Sequence, residues 1–243
     1  MLSTLFHVAI YDPLYNGLVF LVGIAPGHDM GIAVITLTIV VRIIILPLSR
    51  RAVQAQLTMK KIAPEIEKLK EKYKNNREEH TKAIFALYKS AGVHPFASFG
   101  LILVQLPVLI ALYYVFYQSG FPDVDLTLLY SFVHQPAMIN MEFLDLIDMG
   151  GKSVTLAVLA GVTQFIYTRL SMGPREKKPE STPVEASLSG DMARSFDLQA
   201  RYVLPVIIGV IGFTIPAAAP LYWATSNTFM ILQEYASGRR FSA

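Results

Sequence analysis

Apolar residues along this chain gather into long blocks separated by charged stretches. Blocks of this length predict membrane-spanning α-helices, and the absence of strict alternation argues against a β-barrel. Five spans are expected, at residues 30–49, 96–118, 153–170, 202–215 and 219–236. The last two come from one block too long for a single helix, divided at Pro216-Ala-Ala-Ala-Pro220.

The intervening segments have different patterns. Residues 1–29 are apolar but interrupted by Asp12-Pro13, leaving Leu14 to Pro26 as the longest clean stretch. At about 1.5 Å per residue that stretch is too short for a ~30 Å core, so an external interfacial helix is expected, with a tilted or re-entrant segment as the alternative. Residues 50–95 predict a cytoplasmic helical hairpin. Ile62, Ile66, Leu69 and Tyr73 recur at helical spacing, Asn75-Asn76 breaks the pattern, and Ile84, Leu87, Tyr88 and Ala91 resume it. Asn76 followed by Glu79 has the spacing of a capping box opening the second helix. Its lysines suit packing of a solvated hairpin, anionic headgroups or ribosomal RNA. Residues 119–152, with Asp123, Asp125, Glu142, Asp145 and Asp148, predict an external loop. Residues 171–201 predict a cytoplasmic linker and 237–243 a cytoplasmic tail. The expected fold class is therefore all-α, a polytopic membrane protein with an N-terminal interfacial helix and a cytoplasmic α-hairpin.

Composition strengthens this picture. The chain is 53% hydrophobic with a mean hydropathy of +0.44, and its 16% charged residues fall below the ~25% of soluble domains. Of 21 Lys and Arg, all but Arg42 in a span and Lys152 outside fall on one side, which predicts an N-out/C-in orientation. With no cysteine, a disulfide, thiol nucleophile, iron–sulfur cluster, thiolate zinc site or lipoprotein anchor is excluded. No cleavable signal pattern opens the chain.

The candidate chemistry centres on Arg42, inside the first apolar block. A cation there costs roughly 2.5–3.5 kcal/mol on insertion scales. The bland alternative is snorkelling to the interface marked by Ser49, Arg50 and Arg51, on the order of 11 Å away. Thr38 and Ser49 share a helix side with Arg42, and Gln105, Thr163, Gln164, Thr225, Ser226, Asn227 and Gln233 give other spans polar positions. A water-containing cavity would satisfy them all, although interhelical packing bonds worth about 0.6 kcal/mol compete as an explanation. No carboxylate is expected within a span, whereas ion-coupled transporters keep one for the coupling ion, so the counter-charge to Arg42 is expected to arrive with a ligand. With no His-Glu-x-x-His, phosphate-binding glycine loop or paired intramembrane aspartate, no catalysis, cofactor or metal is expected.

Several stretches together resemble the YidC-type membrane protein insertases, a family that includes the mitochondrial oxidase-assembly and chloroplast thylakoid insertases. They are Thr38-Ile-Val-Val-Arg42-Ile-Ile-Ile-Leu-Pro47-Leu, the Lys-rich hairpin ending in Ala91-Gly-Val-His-Pro95, Gln105-Leu-Pro-Val-Leu-Ile-Ala-Leu-Tyr113, Leu159-Ala-Gly-Val-Thr-Gln164, Tyr202-Val-Leu-Pro205 and Pro220-Leu-Tyr-Trp-Ala-Thr-Ser-Asn227. The resemblance implies five helices around a hydrophilic groove open to the cytoplasm and lipid. Arg42 matches the groove arginine and Gln105 a groove-lining position, with Thr38, Trp223 and Asn227 as further substrate-binding positions. His94 and Gly100 depart from the family pattern. Lacking a large periplasmic domain and a transit-like segment, the chain resembles the short bacterial form.

The implied function is insertion of small single- or double-spanning proteins into the bacterial plasma membrane. Its expected partners are nascent proteins with acidic hydrophilic tails and the lipid bilayer, with the ribosome and Sec translocon as further candidates and no DNA. A small-solute transporter or channel using the same polar cavity is the alternative.

Overall fold

The structure, a computed structural model, describes residues 2–74, 76–92, 97–117, 121–173 and 198–238. Within them the chain is mostly helical. The helices are α1 (Leu2–Phe6), α2 (Asp12–Ile24), α3 (Met30–Lys72), α4 (Arg77–Ser90), α5 (Ala97–Tyr117), α6 (Val154–Met172), α7 (Leu204–Thr214) and α8 (Ala218–Ala236). One small antiparallel hairpin, β1 (Glu142–Phe143) with β2 (Ile147–Asp148), interrupts the loop before α6. Residues 174–197, most of the expected linker, lie outside the described residues, as do His94 and 239–243 of the expected tail.

Two elements differ from expectation. Asp12-Pro13 does not break the N-terminal helix: Pro13 is the second residue of α2, directly after a helical turn, and the backbone is helical through it. A π-helical turn at His7–Tyr11 carries the chain from α1 into α2, and the run Thr4–Ile24 is long and apolar enough to cross a membrane. The first expected span and the first hairpin helix are also one helix of 43 residues, continuous through Pro47 and Pro64.

Among the described residues, Met30–Met59 and Val154–Met172 are likewise long and apolar enough to cross, whereas Pro107–Tyr117 and Gln199–Thr214 are apolar but shorter. The last helix, α8, carries Thr225, Ser226, Asn227, Thr228, Gln233 and Glu234, which dilute its hydropathy.

The chain forms two compact units, Met1–Arg42 with Leu109–Ala243, and Ile43–Val108. In the first, α6 packs against both α7 and α8. Glycine permits the closest approach: a Cβ on Gly161 of α6 would lie 3.1 Å from the Pro205 carbonyl oxygen and 3.5 Å from the Gly209 Cα. Small residues at such crossings let backbones meet where lipid supplies no hydrophobic drive. The α2 helix buries Leu14, Tyr15, Leu18, Val19 and Val22. Its Asn16 is stitched to the loop between α5 and α6, donating to the Leu128 carbonyl (2.8 Å) and accepting from the Tyr130 N–H (2.6 Å).

In the second unit α4 starts as its capping pattern predicts, with the Asn76 side chain accepting from the Glu79 N–H at 3.2 Å. Glu65, Lys68, Leu69 and Lys72 of α3 and Ala83, Ala86 and Leu87 of α4 line a shallow groove between the two helices.

Because Gly161 faces backbone rather than a yielding side chain, Gly161→Val is expected to lower unfolding stability in detergent by about 1–3 kcal/mol. Val162→Ala, at an exposed neighbour, is expected to stay within ~0.5 kcal/mol. Denaturant unfolding of the two purified variants checks the difference; equal midpoints would mean that the α6–α7 crossing is not tight.

Candidate functional site

The loop between α5 and α6 sets the positions from which the polar residues project. Asp29 caps α3 by accepting from the Ile32 N–H at 3.0 Å. Ser153 caps α6 by accepting from the Leu156 N–H at 3.3 Å. The start of α8 is fixed by the Ala217 N–H donating to the Gly151 carbonyl (2.8 Å) and the Ala218 N–H to the Met149 carbonyl (3.1 Å). The Met30 N–H at the start of α3 donates to the Asn140 carbonyl of the same loop at 2.9 Å, so the loop backbone ties the starts of α3 and α8 before any side chain in these helices is considered. Arg42, twelve residues into α3, lies about 18 Å below the cap at 1.5 Å per residue.

Arg42 is 8% exposed. Its Nε donates to the Ser226 Oγ at 2.7 Å, and its Nη2 donates to the same oxygen. Tyr222 and Tyr167 interact with it electrostatically, so α6 and α8 both contribute groups around the guanidinium. The side chain is therefore committed to a mid-helix hydroxyl on α8 rather than extended toward the interface near Arg50. An arginine buried in an apolar helix requires this, because its N–H groups lose water and must recover acceptors from protein.

The other expected site residues divide. Asn227 is buried beside Ser226, and its Nδ2 donates to the Thr163 Oγ1 of α6 over a long 3.5 Å. Thr163 in turn bonds back to the Leu159 and Ala160 carbonyls at 2.8 and 3.0 Å. Trp223, half-buried, precedes Asn227 by one turn of α8. Thr38 is buried one turn from Arg42, but its hydroxyl donates to the Val34 carbonyl at 2.6 Å, within its own helix. Gln105 belongs to the second unit, and its side chain lies outside the described residues.

The structure thus brings Arg42, Ser226, Asn227 and Thr163 together on three helices. The expectation that no carboxylate occurs in a span does not agree with its own bounds, because Glu234 lies inside the expected span at 219–236. In the structure Glu234 belongs to α8 and is almost fully buried. It lies eight residues beyond Ser226, about 12 Å along the axis. Ser226 was visible only as one of four consecutive polar residues, Thr225 to Thr228, and nothing in the chain alone says which of them faces α3.

A family model described as "60Kd inner membrane protein" matches residues 22–243. The chain is 30% identical over 228 residues to the membrane protein insertase YidC of Fusobacterium nucleatum, covering 93% of this chain and 95% of that protein. It is 29% identical to the membrane protein insertase YidC of Clostridium tetani, covering 86% and 81%. Identity to the membrane protein insertase YidC of Methylobacillus flagellatus is also 29%, and there the matched 86% of this chain spans only 32% of the longer protein.

Since the Arg42 Nε and Nη2 both donate to the Ser226 hydroxyl, Ser226→Ala is expected to lower unfolding stability by about 1.5–3 kcal/mol, the range for a hydrogen bond to a charged group. In an Arg42→Ala background the same change is expected to cost less by at least ~1 kcal/mol. A double-mutant cycle in detergent measures this coupling, and additive effects would mean that the bond carries no net energy.

Proposed function

This chain belongs to the 60Kd inner membrane protein family, and on that basis we propose that it inserts small single- or double-spanning proteins into the bacterial plasma membrane along a hydrophilic path centred on Arg42. The carrying observation is a buried guanidinium on α3 held by a neutral hydroxyl on α8. In this reading α3, α5, α6, α7 and α8 are the five spans, with the N-terminus outside and the C-terminus inside. The α1–α2 run lies at the external interface, and the C-terminal half of α3 forms the cytoplasmic hairpin with α4.

The physical advantage of such a site is differential. A carboxylate on an incoming hydrophilic tail binds a guanidinium more strongly than a serine hydroxyl does, and the difference grows as water is excluded. The tail therefore displaces Ser226 as the partner of Arg42, and separation of α3 from α8 admits it. Asn227 and Thr163 supply neutral hydrogen bonds along the path, while Trp223 flanks it. The polar tail is thus spared part of its desolvation cost. Burial of the substrate's apolar helix in lipid then drives release sideways, with no nucleotide consumed. The apolar helix Gln199–Thr214 is shorter than a full span, which favours local thinning of the bilayer beside the path. Nascent proteins with acidic tails are the substrates in this reading. The Lys-bearing hairpin offers the cytoplasmic surface for a ribosome or Sec translocon.

Purified protein in liposomes is expected to insert an acidic-tailed substrate without conducting small solutes; solute flux without insertion would replace this reading with a transporter. Arg42→Ala is expected to slow insertion of acidic-tailed substrates by about tenfold or more, as loss of one charge-assisted bond implies. Arg42→Lys should retain most activity, because charge rather than forked geometry is used. Equal rates for wild type and Arg42→Ala on every acidic substrate would contradict the role of the charge.

A further inference from the structure

The external loop holds a feature that insertion does not use. The turn joining β1 to β2 places Leu144 and Asp145 at φ 53° and 58°, and the Leu146 N–H donates to the Phe143 carbonyl at 3.0 Å. Two successive positive φ values mark the type I′ geometry that ordinarily selects Asn-Gly, because a Cβ is unfavourable there. Here the first position is a leucine. Leu144 is 57% exposed, Leu146 82% and Phe132, elsewhere in the same loop, 70%. A backbone outlier that displays apolar side chains outward, where they gain no packing, points to a use outside the fold.

The turn is also held rigidly at a defined depth. The Leu144 N–H donates to one oxygen of the Asp29 carboxylate at 2.7 Å, while the other oxygen of Asp29 caps α3. The Phe143 ring lies over Gly31, where any Cβ would run into it. The Asn140 side chain accepts from the Glu142 N–H at 2.9 Å and donates to Asp145 at 3.3 Å. The tip is therefore fastened to the first turn of α3, and the strand that leaves it leads into the backbone groups that fix the start of α8. This is the level at which the helices leave the apolar core.

We propose that Leu144 and Leu146, at the tip of this hairpin, form a membrane anchor that inserts into the interface of the external leaflet and sets the depth of α3, and with it of Arg42. The occupant is lipid rather than a protein partner because the tip is tied to the α3 cap at the level where that helix enters the apolar core. Exposed apolar side chains at that level meet the boundary of headgroups and acyl chains. Insertion is shallow, since the exposed carboxylates of Glu142, Asp145 and Asp148 must stay in water. It is driven by apolar burial rather than by attraction to anionic headgroups, because Lys152 is the only basic residue of the loop. The assignment to the external leaflet rests on the N-out orientation proposed above; the anchoring itself does not depend on insertase activity.

The chain has no native cysteine, so a single reporter is available without background. An environment-sensitive fluorophore on Leu146→Cys, in liposomes of phosphatidylethanolamine and phosphatidylglycerol, is expected to emit to the blue. It should be quenched by lipids brominated near the headgroup, with iodide quenching about fivefold weaker than for the same label on Asp123→Cys of the same loop. Adding Leu144→Asp should restore iodide access at position 146, which separates anchoring by the hairpin from partitioning of the dye alone. Equal iodide quenching at positions 146 and 123, or protection at 146 unaffected by Leu144→Asp, would overturn the proposal. Because insertion of a substrate plays no part in the readout, failure here and failure of the proposed function are separable.

Discussion

Placing a guanidinium in the middle of an apolar helix imposes a constraint that the rest of the first unit has to meet. Arg42 recovers acceptors at Ser226, so α8 must present a polar residue at that depth and approach α3 closely enough for a 2.7 Å bond. The adjacent Asn227 then reaches α6 at Thr163. The polar character that keeps α8 from matching the apolar spans in hydropathy follows from this role. In low dielectric each unmade bond would cost more than in water, which makes the cluster demanding of geometry.

Geometry of that kind needs register, and the loop between α5 and α6 supplies it. Asp29 serves α3 and the hairpin with its two oxygens, while Gly151 and Met149 offer carbonyls to the first N–H groups of α8 and Ser153 caps α6. Asn16 ties α2 to the same loop. A shift of α3 by one residue would move Arg42 about 1.5 Å along its axis and rotate it by ~100°, away from Ser226. The loop thus determines a contact lying well along the helices from it.

Much of this was legible from the order of residues, because the principal signals are long-range in composition and short in spacing. Asn76 with Glu79 marked the start of α4, whereas the apolar block at 30–49 gave no sign that α3 runs on to Lys72. Arg42 stood out because intramembrane charge is costly. What remained hidden depended on tertiary context. Pro47 and Pro64 do not end α3, and the backbone is helical through Pro13. Two-residue strands are too short to alternate, so β1 and β2 left no pattern. Ser226 is one hydroxyl among several, and its significance comes from which face of α8 meets α3. Glu234 stands within the expected last span, and what the fold adds is its burial in α8.

The central claim is that substrates pass the cluster around Arg42 on their way into the bilayer. Photo-crosslinkers installed at Asn227 and at Gln105 during reconstituted insertion test it most directly. The account predicts adducts from both positions to the hydrophilic tail of an acidic substrate arrested before release, and loss of those adducts once the substrate helix has entered lipid. Efficient insertion with no adduct from either position would contradict it.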